Sequence, residues 1–178
     1  MGKRTLAAAV ALAVGSWIGF AAADEARQSE AAAAGCGAFA WPIDRERAWF
    51  AEAKLARRPS GARLADIDRA VELTLLPTRA ARFFMAPGRA PKPDGYSGEV
   101  TFRGVPKPAT YQVTLSDEAW IDAFENGVRL QSASSTDAKG CAGVRKSVRF
   151  RLAPGDLVLI QISGATTDSI KVAFAEAP

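Results

Sequence analysis

TYQVTLSDEAWIDAFENGVRLQS, residues 110–132, alternates with a period of two. Successive side chains of an extended chain point to opposite faces, so Tyr111, Val113 and Leu115 share one side and Thr110, Gln112 and Thr114 the other. The alternation resumes after Ser116, Asp117 and Glu118, setting Trp120, Asp122 and Phe124 against Ile121 and Ala123. Asn126-Gly127 interrupts it, and both residues tolerate the positive φ that a two-residue hairpin turn demands. Val128 to Ser132 then returns. Half-buried strands joined by tight turns are the expected result.

The same period recurs on both sides of this stretch. Val71, Leu73 and Leu75 alternate with Glu72 and Thr74, and Val100 and Phe102 with Glu99, Thr101 and Arg103. Downstream, Val144, Val148, Phe150 and Leu152 form the inner side of a strand that turns at Pro154-Gly155. The next strand, Leu157 to Ile162, is apolar on both faces apart from Gln161, as a central strand would be, and Ser169 to Ala175 completes the series. About eight or nine strands with turn signals at short spacing predict a mainly β protein, an antiparallel β-sandwich of jelly-roll or immunoglobulin-like type over residues 71–178. The proline- and glycine-rich piece from Ala86 to Gly98 cannot be a core strand. It is read either as a binding loop carrying Arg89, Lys92 and Tyr96 or as a crossover between sheets.

Upstream of the strands the pattern is helical. Asp44 can cap a helix from about Arg45 to Arg57, with Glu46 in its first turn and basic residues near its end, until Pro59-Ser60-Gly61 stops it. Residues 36–70 are thus an N-terminal helical segment, preceded by an Ala-rich leader, 24–35, expected to be flexible. Lys3 and Arg4, the apolar run Leu6 to Phe20 and the small residues Ala21 to Ala23 read as a secretory signal peptide over 1–23. The mature chain is then expected to be periplasmic or secreted, without a membrane span.

The 178 residues include 23 basic and 19 acidic side chains, a formal charge of +4, and no histidine. Cleavage removes Lys3 and Arg4 and lowers the charge to +2, which argues against a nucleic-acid binder. The absence of imidazole excludes Ser-His-Asp and Cys-His catalysis and every histidine-ligated metal. No metal site, phosphate loop or dinucleotide fingerprint is read, and no cofactor is expected. A loop calcium near Asp137 would lack the ligand order of an EF-hand.

In an exported chain the two cysteines, Cys36 and Cys141, are read as a structural disulfide. The alternatives are lipid attachment at Cys36, where the leucine of a lipobox is replaced by Ala33, and a catalytic thiol, which has no histidine to activate it.

Tyr111 to Phe174, with AWIDAF and CAGVRKSVRF, resembles the C-terminal half of a family of small exported proteobacterial proteins with an AWIDV strand and a C-x-G-[IV]-R-K-x-V-x-F strand. CGAFAWPIDRE, from Cys36 to Glu46, is similar to the same family, which implies a sandwich and a paired Cys36 and Cys141 but no function. Some members carry the name homogentisate 1,2-dioxygenase. That enzyme class holds iron through two histidines and a carboxylate, and this chain has no histidine to offer.

What remains for function is carboxylates, amines, hydroxyls and aromatics. Trp120 and Asp122 on one strand face are suited to stacking a sugar and accepting its hydroxyls; otherwise they are core, with Asp122 paired to a base from the Arg145-Lys146 strand. Arg145, Arg149 and Arg151 lie on the outward side of their strand, a ridge that would attract anions or protect an edge, with Glu72, Glu99 or Glu125 as counter-charges. The function expected is an exported, non-enzymatic binding or envelope-structural module for a glycan or anionic envelope component. The alternative is a carboxylate-dependent, glycosidase-like hydrolase around Asp122, drawing on Asp117, Glu118 and Glu125.

Overall fold

A computed structural model describes residues 35–65, 67–155 and 157–178. The signal peptide and nearly all of the leader lie outside these. Two mixed sheets pack face to face as a β-sandwich. Helix α1 (Asp44–Phe50) comes first, followed by β1 (Arg57–Pro59), β2 (Ala62–Leu64), β3 (Arg69–Thr74), β4 (Leu76–Pro77), β5 (Tyr96–Phe102) and β6 (Ala109–Leu115). Then come β7 (Trp120–Glu125), β8 (Val128–Arg129), β9 (Ser134–Asp137), β10 (Lys146–Leu152), β11 (Val158–Ala165) and β12 (Ser169–Glu176).

The first sheet runs β1-β3-β12-β6-β10-β9 and the second β2-β5-β11-β7-β8, with β4 attached to β5. The long strands pair antiparallel, as the alternation required. The short edge strands β1 and β2 instead add in parallel, to β3 and β5. They are one continuous segment that passes from one sheet edge to the other through Gly61, whose φ of 87° needs a glycine.

The buried side chains of the alternating pattern meet between the sheets. Tyr111, Val113 and Leu115 on β6, Val148, Phe150 and Leu152 on β10, Val100 and Phe102 on β5, and Ile160 and Ile162 on β11 belong to one core. Each such side chain contributes about 1.5 to 3 kcal/mol when withdrawn from water. Phe174 ties the layers together, its ring 4.5 Å from Phe102 and 5.7 Å from Tyr111. β11 is the middle strand of its sheet, as its apolar composition implied. Asn126 and Gly127 adopt φ of 53° and 77° between β7 and β8, the expected hairpin turn.

The helix departs from expectation. It ends at Phe50, and Arg57 to Pro59, read as its end and its stop, form β1. Pairing with β3 satisfies backbone groups that a further helical turn would otherwise hold. Its N-cap is Ile43, without a side-chain capping bond, while Asp44 is the first helical residue. What places the helix is burial: Ile43 and Phe50 join Phe39, Val144, Cys141, Ala138, Ala70 and Ala173 in a second core on the outer face of the first sheet. The Cys36–Cys141 disulfide, spanning 105 positions with Cα atoms 4.4 Å apart, ties this covering segment to the body.

The polar side of the cover is equally engaged. Glu46 is almost wholly buried, and its Oε1 accepts hydrogen bonds from Arg45 at 2.7 and 3.0 Å and from Gln112 Nε2 at 2.7 Å. Trp41 donates from its indole to Ser147 Oγ at 3.2 Å, and Ser147 bonds Thr114 at 2.9 Å. Gln112, Thr114 and Ser147, on the outward parity of their strands, are therefore not solvated but roofed.

Candidate functional site

The second sheet is also covered, by its own chain. The loop after β4 returns to β5 within the same sheet, so it is not the crossover considered above. It lies as a strap over the outer faces of β5, β11, β7 and β8. Cα pairing aligns Glu99, Gln161 and Asp122 in one row across three strands. Each grips the strap's backbone: Phe84 N–H donates to Glu99, Gln161 Nε2 donates to Met85 O at 3.0 Å, and Gly88 N–H donates to Asp122 Oδ2 at 2.9 Å. Arg129 on β8 donates to Ala86 O. Phe84 stands edge-on to Phe124 with ring centroids 5.4 Å apart.

Trp120, Asp122 and Phe124 share the outer face, as their alternation implied, but only Trp120 reaches solvent, at 36% exposure. Asp122 is buried under Gly88, and its basic partner is Arg129 of β8, with Nε 3.6 Å from Oδ1, not a residue of the Arg145-Lys146 strand. A cation from that strand meets the tryptophan instead: Lys146 Nζ lies 5.1 Å from the Trp120 ring centroid. Burial pulls the Lys146 ammonium below the ordinary lysine range and nearby Arg89 adds to this, while Asp137 and Glu118 oppose it.

The ridge of three arginines is not present. Arg145 is partly buried between Asp137, at 2.9 Å, and Glu118, at 2.8 Å; the two carboxylates raise its pKa, and its hydrogen bond lowers that of Asp137. Arg149 lies beneath the N-terminal cover, its guanidinium 4.2 Å from the Trp41 ring centroid and bonded to Gln112 at 3.3 Å. Arg151 alone is exposed. Parity along β10 sets Arg149 and Arg151 outward but could not foresee that Trp41 would close over Arg149. Arg145 precedes the strand, and Val144, expected on the inner side, joins the second core on the outer face because the regular alternation begins only at Lys146. The expected counter-charges are used elsewhere: Glu72 pairs with Arg57, Glu99 holds the strap, and Glu125 accepts from Ala153 N–H. Asp137 sits at the end of strand β9, bound to Arg145, and no group of carboxylates suited to a metal occurs among the described residues.

The feature that gathers accessible chemistry is a cleft of about 420 Å³ where β7 and β10 begin and β11 ends. Trp120 forms one wall, and Arg89, Lys92 and Lys146 bring positive charge. Glu118 at the margin is held by Arg145. On the floor, Ser163 is 1% exposed and its hydroxyl has no hydrogen-bond partner. Arg89 and Lys92 were visible in the sequence as loop cations. Lys146 and Ser163 were not, because strand register sets Ser163 opposite Trp120 while packing of the two sheets brings Lys146 beside it.

The chain matches no protein-family profile and no characterised protein sequence. The class that fold and chemistry define is a disulfide-linked β-sandwich with both outer faces covered. Its disulfide belongs to an oxidising, non-cytoplasmic environment. No helix among the described residues is long and apolar enough to cross a membrane.

Proposed function

We propose that this protein is an exported, periplasmic or secreted binding module, without catalytic activity, that takes an acidic glycan in the Trp120 cleft. The observation that carries this is an accessible indole flanked by Lys146 and Arg89, above a buried serine hydroxyl with no partner. A sugar ring stacks on the aromatic face, its carboxylate meets the two cations, and one of its hydroxyls satisfies Ser163 Oγ. Asp122, the pivot of a hydrolytic scheme, is buried and occupied by Gly88 and Arg129, which favours binding over catalysis. The resemblance to small exported proteins is compatible with this and contributes no ligand.

The test is equilibrium binding of the mature protein to hyaluronan oligosaccharides, which alternate acidic and neutral sugars, with neutral dextran as comparison. Trp120→Ala is expected to weaken hyaluronan binding by about tenfold or more, and Lys146→Gln to remove the preference over dextran. Affinity that neither substitution changes would sink the proposal. Arg149→Ala is unsuitable as a site variant, because Arg149 supports the N-terminal cover.

A further inference from the structure

The strap separates two hollows on one face. Beyond it from the Trp120 cleft lies a groove of about 600 Å³ lined by Glu99, Thr101, Phe124, Leu157 and Leu159. The floor between the hollows is the row Glu99, Gln161 and Asp122. Four buried polar atoms along this face have no hydrogen-bond partner: Glu99 Oε2, Gln161 Oε1, Ser163 Oγ and Arg129 Nε. Gln161 and Ser163 are almost completely buried and lie two positions apart on β11, on the same side. Native interiors leave few such groups unpaired, and a concentration of them under one segment marks a place meant for other partners.

We propose that the first part of the strap, residues 82–88, is a displaceable cover, Arg89 and Lys92 staying at the Trp120 cleft, and that the glycan site extends beneath it along β7 and β11. This rests on the preceding proposal and deepens it by naming a linear polysaccharide, not a single sugar, as the ligand. From Ser163 to Leu159 the floor runs about 13 Å at ~3.3 Å per residue. Its chemistry is that of hydroxyl recognition: two carboxylates and a glutamine oxygen accept, Arg129 donates, and Phe124 offers a ring once Phe84 withdraws. Arg89, Lys92 and Lys146 stand at the Trp120 end, whereas the row holds Glu99 and Asp122, the latter already paired with Arg129, and Arg63 lines the far groove. The chain that fits therefore carries an acidic sugar at Trp120 and neutral sugars over the row, since acidic groups there would face Glu99 and Asp122. The strap is suited to leave because its middle is held by side chains gripping single backbone groups.

Three measurements test this together. Affinity is compared between a hyaluronan disaccharide and longer hyaluronan oligosaccharides. Amide exchange is followed at Phe84 and Gly88, whose N–H groups are bonded to Glu99 and Asp122 in the free protein. Phe84→Ala weakens the strap without touching the Trp120 cleft.

The proposal expects longer oligosaccharides to bind tighter than the disaccharide and to release protection of both amides. It expects Phe84→Ala to improve long-chain affinity by about three- to tenfold, as loss of one aromatic pair allows, and to leave the disaccharide unchanged. Polygalacturonate, acidic at every sugar, should gain nothing from length. Equal affinity at all lengths, retained protection in the complex, or an equal gain for long polygalacturonate overturns the inference while Trp120-dependent disaccharide binding leaves the simpler proposal standing. No binding at any length overturns both.

Discussion

Replacing both Cys36 and Cys141 by alanine should cost more stability than any other change outside the central core. The bond spans 105 positions, and closing a loop of that length removes about 4.7 kcal/mol of unfolded-chain entropy in the chain-entropy account. The alanine pair also loses packing, because Cys141 is buried in the second core with Phe39, Ile43 and Phe50. Against this, Glu46, Trp41 and Arg149 still hold the cover through the contacts described, so some residual attachment persists. The expected loss is about 3 to 5 kcal/mol, or roughly 10 to 20 °C in melting temperature for a body of this size. Urea titration read by both tryptophan fluorescence and far-ultraviolet circular dichroism measures it. The two probes also separate global from local loss. Coincident transitions at lower urea mean that the whole fold has become less stable. A fluorescence change that precedes the loss of strand signal means that the Trp41 segment detaches first. A loss below about 1 kcal/mol with coincident transitions would refute the reasoning, since the bond would then constrain neither the unfolded chain nor the cover.

Four further outcomes are expected. Glu46→Ala leaves Gln112 and Arg45 without their shared acceptor under the cover and should cost about 2 to 4 kcal/mol by urea titration, with faster amide exchange around α1. Burial raises the Glu99 carboxyl above its ordinary pKa, with the Phe84 N–H opposing. Its protonated form favours the fold at acid pH, and that contribution is lost as pH rises through the raised value. Glu99→Gln should therefore stabilise the protein near neutrality, with a gain that fades as pH falls from the raised value to the ordinary glutamate pKa of 4.5 and is absent below it, as melting temperatures across pH would show. At Gly88 a Cβ would sit 2.7 Å from Asp122 Oδ1 and 3.2 Å from Trp120 Nε1, so Gly88→Ala should cost about 1 to 3 kcal/mol and speed exchange of the strap amides. Gly127→Ala meets only Phe84 at 3.8 Å, and its cost of about 1 kcal/mol by thermal melting should come from the φ of 77° alone.

The long strands and the Asn126-Gly127 turn were legible because their causes are local: a period of two, and residues tolerant of positive φ. The centrality of β11 was legible from apolar residues on both faces. Other elements have no local cause. β9 is Ser-Ser-Thr-Asp, without an apolar alternation, and exists because β10 offers it a ladder. β1 was hidden in a helical pattern because the edge of β3 outweighs the propensity of Arg57 and Arg58.

For the candidate site the same division holds. Alternation determined which of Trp120, Asp122, Phe124, Arg149 and Arg151 point outward from their sheets, because side-chain direction follows from the backbone of each strand alone. Composition determined the absence of imidazole chemistry, and two cysteines allowed one intramolecular pair. Only the tertiary structure decided which outward-facing residues meet water. That outcome depends on segments distant in sequence: Trp41 covers Arg149, Gly88 covers Asp122, and Lys146 arrives beside Trp120 through packing of two sheets. Parity is a property of one strand, whereas exposure is a property of everything laid over it.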